Sequence, residues 1–271
     1  MHAKLILTLT ERGQDEVTRE EAAEILGSTP SNIRNLLSHL TAKGWLERLG
    51  DGRYLVVPPA YGAEPTGDYN VLALASASVP KGYVGWWNAA SLHGFTTQVP
   101  NAVTMATLRR HRPRVLAGSE VRYVPVSPEK FFGFEKRQVL GRSVTVSDKE
   151  KTVADCVDRP DLCGGPSEVC RIVWGASFDI DWERLVDYVS RIGSISLIQR
   201  LGFVCDLVEA TVPPPIRDKL RETVKAGYRS HFGPREKVEG VIGFVPDWGI
   251  SVSLTKQQLL GDVPRKREIA P

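Results

Sequence analysis

The punctuation of the first 57 residues constrains this chain more than any other feature. Leu5, Ile6 and Leu9 recur at helical spacing ahead of Gly13, which predicts a first helix of about ten residues. Thr18-Arg19-Glu20-Glu21 has the form of a capping box, in which the Thr hydroxyl takes a backbone N–H of the first turn and Glu21 reaches back to the cap. Glu20, Glu21 and Glu24 put negative charge at the positive end of that helix, Ala22, Ala23, Ile25 and Leu26 supply its apolar side, and Gly27 ends it. Thr29-Pro30 starts a third helix running to about Lys43, with Gly44 as its stop. Trp45–Leu49, then Gly50-Asp51-Gly52, then Arg53–Val57 form a β-hairpin with a glycine-rich turn.

The third helix is the informative one. Ile33, Leu36, Leu37 and Leu40 share one stripe, so Ser31, Asn35, Ser38 and Ala42 lie opposite, flanked by Asn32, Arg34 and His39. A helix face turned only to water is usually filled with Glu and Lys. Short donors and acceptors suit base edges and phosphates in a major groove about one helix wide. Three helices and a hairpin, in that order, predict a winged helix-turn-helix over residues 1–57. Its DNA-binding residues would be Ser31, Asn32, Arg34, Asn35, Ser38, His39 and Lys43, with Arg48 and Arg53 near the hairpin tip reaching phosphates beside the groove.

Charge tempers this reading. Residues 1–57 carry seven Lys and Arg against eight Asp and Glu, 7 − 8 = −1, although residues 30–43 carry Arg34 and Lys43 and no acid. Such a domain should bind DNA modestly, lose affinity steeply with salt and act as two copies on one site. The alternative is a winged helix used only for protein contacts.

Composition sets outer limits. With 42% hydrophobic and 25% charged residues the chain is neither disordered nor fibrous, and its net charge of +3 is too small to demand a polyanionic partner by itself. No run approaches the ~20 apolar residues of a membrane helix, and residues 1–12 lack the layout of a secretory signal, which predicts a cytoplasmic protein. Cys156, Cys163, Cys170 and Cys205 contain no C-x-x-C pair and are expected to be buried thiols, with no metal or cofactor.

Residues 58–80, rich in Pro and Gly at their start, are expected to be a linker, and residues 81–271 a larger mixed α/β (α+β) domain, so that the whole chain is α+β. In that domain a helix is expected within 83–93, with strands at 103–107, 121–126 and 144–146. Further helices are expected at about 148–157, 167–174, 181–191, 196–209 and 216–226, and strands at 238–245 and 248–254.

Catalytic groupings are sparse. Ser147-Asp148-Lys149-Glu150-Lys151 has the residue types of a metal-dependent nuclease cluster, but Ser147 and Glu150 also read as a capping box, with Asp148 as first-turn charge. His93 falls at a helix end, where an imidazolium favours the dipole. Two basic clusters could face a polyanion: Arg109, Arg110, Arg112 and Arg114, a candidate secondary basic surface, and the cations of 217–237. Arg265-Lys266-Arg267 reads as a tail.

Three runs give the chain a family likeness: Tyr83-Val84-Gly85-Trp86-Trp87-Asn88-Ala89-Ala90-Ser91-Leu92-His93-Gly94 with Gln98 and Pro100; Ser147-Asp148-Lys149-Glu150-Lys151-Thr152-Val153-Ala154-Asp155-Cys156; and Gln199-Arg200-Leu201-Gly202-Phe203. Phe131-Phe132-Gly133, Gly164-Gly165 and Trp248-Gly249 fall in the same order. On these the chain resembles the AbiEi antitoxins of abortive-infection, type IV toxin–antitoxin operons. The resemblance implies an N-terminal winged helix that binds inverted repeats in operator DNA and represses its own operon. It further implies a C-terminal antitoxin domain that counters a neighbouring nucleotidyltransferase-like toxin, a direct complex not being required, and it supplies no catalytic residue. A regulator with a ligand-sensing C-terminal domain and a metal-dependent nuclease are the alternatives.

Overall fold

The computed structural model describes residues 2–12, 14, 16–56, 70–116, 118–224, 227–234 and 239–264. Within the first stretch the chain runs α1 (His2–Glu11), β1 (Glu16–Thr18), α2 (Arg19–Leu26), α3 (Pro30–Ala42), β2 (Leu46–Gly50) and β3 (Arg53–Val56). The caps act as the residue types dictate. Thr18 accepts from the Glu21 N–H while Glu21 Oε2 takes the Thr18 N–H at 2.7 Å, and Gly27 closes α2 in the left-handed region at φ 58°. Strand β1 has no counterpart in the sequence reading, because three residues carry too little alternation to register; it pairs antiparallel with β3 and completes a sheet of order β1-β3-β2.

Next come α4 (Val71–Ser78), β4 (Gly82–Val84), α5 (Trp86–Leu92), β5 (Ala102–Thr107), β6 (Arg114–Leu116), β7 (Ser119–Pro125), β8 (Phe134–Val139) and β9 (Arg142–Ser147). Helix α4 corrects the expected 58–80 linker: Asn70 caps it, and Ala73, Leu74 and Ala75 are buried. The earlier part of that linker, 58–69, lies outside the described residues. The six strands form one mixed sheet of order β6-β7-β5-β4-β9-β8. Alternation sorts its residues: Val84, Val103, Met105, Val121, Tyr123, Val144 and Val146 face α4, while Tyr83 and Ala106 face the helices that follow.

Those helices are α6 (Lys149–Asp158), α7 (Pro166–Ala176), α8 (Trp182–Ile192), α9 (Ile195–Leu207) and α10 (Pro214–Thr223). Strands β10 (Ser230–Phe232), β11 (Gly243–Val245) and β12 (Ile250–Val252) make a small sheet of order β10-β12-β11, and α11 (Lys256–Leu260) ends the described chain. The expected strand at 238–245 is confined to Gly243–Val245, and its first residue, with Lys225, Arg235, Lys237 and the 265–267 tail, lies outside the described residues. The architecture is mixed α+β. All four cysteines are free and buried, and burial pushes the Cys170 thiol up to about 12. Among the described residues no helix is long and apolar enough to cross a membrane.

Candidate nucleic-acid interface

Helix α3 is anchored by Ile33, Leu36, Leu37 and Leu40, packed with Leu5, Leu9, Val17, Ala22, Leu46 and Tyr54 into a core of their own. That stripe fixes the helix rotation. Ser31, Asn32, Arg34, Asn35, Ser38, His39 and Ala42 are exposed, as is the cap residue Lys43, and the helix contains no carboxylate. Gly44 follows at φ 73° and turns the chain into β2.

The hairpin departs from expectation. Asp51 and Gly52 form a two-residue turn with φ 50° and 76°, and Leu49 is an extra residue between the pairs Arg48↔Tyr54 and Gly50↔Arg53. Arg48 is exposed. Arg53 is not: its Nη1 donates to Glu16 Oε2 and to Ala77 O, both at 3.2 Å, and its Nη2 reaches Ser78 O at 3.5 Å. Carboxylate and helix-end carbonyls recruit this guanidinium inward, which corrects its assignment to the DNA set. Arg114 is likewise drawn in, donating to Leu49 O, so it leaves the exposed basic surface; Arg109, Arg110 and Arg112 stay exposed.

The 147–151 cluster is structural in its contacts. Asp148, not Ser147, caps α6, accepting from the Lys151 N–H at 2.8 Å. Its other oxygen takes Arg184 Nη2 at 2.7 Å and the Tyr188 hydroxyl at 2.9 Å. Glu150 accepts from the Asp181 N–H at 2.9 Å. Lys151 is wholly buried, paired with Asp155 and 3.2 Å from the Tyr83 hydroxyl. Burial raises the Asp155 carboxyl above its ordinary value, with Lys151 opposing the rise, and raises the Tyr83 hydroxyl with help from the Asp155 charge. Sequence reasoning missed this network, since Tyr83 and Lys151 are far apart in the chain. Among the described residues no three His, Cys, Asp or Glu side chains gather as metal ligands.

His93 caps α5 at its C-terminus, but not as a cation. Its Nε2 lies 2.8 Å from Ser147 O and its Nδ1 2.9 Å from Arg137 Nη1, a pair of partners that needs Nε2–H as donor and a bare Nδ1 as acceptor. Burial lowers its pKa in the same sense, with the Arg137 charge adding to the fall and the Ser147 carbonyl opposing it.

A cleft of about 880 Å³ opens between α7, α9 and α11, with Trp174, Phe178, Leu207 and Leu260 in its walls.

The fold thus defines a mixed α+β protein in which a small helical unit with a three-stranded sheet precedes a six-stranded sheet and its helices. No family model and no curated protein matches the chain. Among solved structures it is similar to the crystal structure of the RV2827C protein from Mycobacterium tuberculosis, with 17% identity and a TM-score of 0.67 over 96% of this chain and 93% of that one. At that identity the likeness is one of fold.

Proposed function

We propose that residues 2–56 are a winged helix-turn-helix that lays α3 in the major groove of operator DNA, and that the chain is an antitoxin of the AbiEi kind. It would bind inverted repeats in its own promoter and repress transcription, while the region after the hairpin counters a neighbouring nucleotidyltransferase-like toxin without requiring a stable complex. No residue is assigned a catalytic role. One observation carries the reading: the outer face of α3 is exposed along its length, free of carboxylates, and set with Asn32, Arg34, Asn35 and Ser38. Amides and a guanidinium on a rigid helix are the groups that read base edges. Arg48 on the hairpin is exposed, which supports its use as a phosphate contact.

An anisotropy titration on the DNA upstream of the gene tests this. Arg34→Ala should weaken binding by about 1–3 kcal/mol and relax the preference at one base pair. An Arg34→Ala curve that overlays the wild type would end the recognition-helix assignment. Growth restored when this chain is co-expressed with the adjacent gene's toxic product would support the antitoxin role. The aromatic-walled cleft favours a second reading, a regulator in which a small ligand bound there alters DNA affinity.

A further inference from the structure

Two basic clusters that look equivalent in the sequence differ in the fold. On α10, Arg217 pairs with Asp206, Lys219 lies 3.3 Å from Asp187, and Arg221 lies 3.6 Å from Asp247, so those cations have local counter-charges. In the loop joining β5 to β6, Arg109, Arg110 and Arg112 are exposed, and among the described residues none has a carboxylate in ion-pair reach. From Leu108 to Ser119 the chain has no acid at all.

The position of this loop gives it a use. At its far end Arg114 donates to Leu49 O beside the hairpin turn, and a methyl placed on Gly50 would lie 3.0 Å from that guanidinium. At its near end Thr107 Oγ1 holds Arg109 O at 2.8 Å. Between them the His111 ring packs on Tyr123 at 5.4 Å, and the Tyr123 hydroxyl lies 2.8 Å from Ser78 Oγ, whose carbonyl accepts from Arg53 of β3. An acid-free arginine loop is thereby held beside the β2–β3 turn.

The geometry points to a second phosphate-binding element: the 108–113 loop continues the DNA surface from the hairpin onto the six-stranded sheet and takes duplex backbone flanking the segment that α3 reads. This rests on the DNA-binding reading above and extends it. It accounts for how an N-terminal unit with a net charge of −1 can hold a polyanion, because the missing cations come from the next part of the fold. Guanidinium–phosphate contacts add affinity and orientation without base preference.

The full chain and its Arg109→Ala/Arg110→Ala/Arg112→Ala variant are to be titrated on the same upstream duplex at several salt concentrations and footprinted. The variant should show a log–log salt slope shallower by roughly 2–3, a footprint shortened on one side and an unchanged base preference. If the wild type binds and the variant keeps its slope and footprint, the loop serves another partner, such as an acidic protein surface, and this inference is overturned while the DNA-binding reading stands. If the wild type itself fails to bind, the DNA-binding reading falls, and this one with it.

Discussion

Lys151 shows how much a single side chain can demand of its surroundings. It is wholly buried, with its ammonium 5.2 Å from the Phe132 ring centre and 5.6 Å from that of Tyr83, and among the described residues its counter-charge at contact is Asp155, one turn on. Gly133 makes the room, since a methyl there would come within 2.9 Å of the Lys151 Cβ. Removing one member of a buried pair strands the other, so Lys151→Met should lower stability by about 3–5 kcal/mol, while Lys151→Met/Asp155→Leu should recover most of that loss. Chemical denaturation of the two variants checks it; a double variant no better than the single would show that the charge pair is not what the site depends on. Arg48 and Arg53 make the complementary point. They are equivalent in the sequence, both near a hairpin turn, and only the presence of Glu16 and the end of α4 draws one inward.

At the scale of elements, helix ends were legible and short strands were not. The start of α2 at Thr18 and the stops at Gly27 and Gly44 depend on residues within four positions of one another, so they can be read locally. The same logic misplaces the start of α6 by one residue. Ser147 cannot serve as the cap because it is the last residue of β9, paired with Phe134, and its hydroxyl lies 2.7 Å from the Thr152 Oγ1. Asp148→Ala should therefore cost about 1–2 kcal/mol for the cap alone, and more because Arg184 and Tyr188 lose their shared acceptor. Asp148→Asn should retain the cap and part of that stability. Thermal melts distinguish the two, and neither variant should alter the proposed DNA binding, since Asp148 belongs to the interior of the larger part. Strands β4 and β10, like β1, are three residues each and pair with strands twenty or more positions away, and β6, also of three residues, pairs only with β7 across a short turn, so no local periodicity announces them.

Across the whole molecule, the β2–β3 hairpin serves as a wall between two cores. Tyr54 and Val56 face the core of α1–α3, while Leu49 and Leu55 enter the core formed by α4 and the six-stranded sheet. Arg53, Arg114 and Arg142 then cross the seam, each bonding a backbone carbonyl on the other side; Arg142 Nη2 donates to Val56 O at 3.1 Å. The hairpin is thus held by the larger unit. Arg53→Ala/Arg114→Ala should speed amide exchange across α1–α3 and the hairpin while leaving α6–α9 as protected as before, which hydrogen exchange reads directly. Equal acceleration everywhere, or none, would show that the seam does not couple the units.

The amino-acid order alone determined where most helices begin and end, which side of α3 is apolar and that its other side is short, polar and acid-free, because caps, breakers and helical periodicity act within a few residues. Only the tertiary structure decided which arginines stay free to meet a ligand. That choice depends on which carbonyls and carboxylates lie alongside, and folding supplies those from segments as remote as Leu49 is from Arg114.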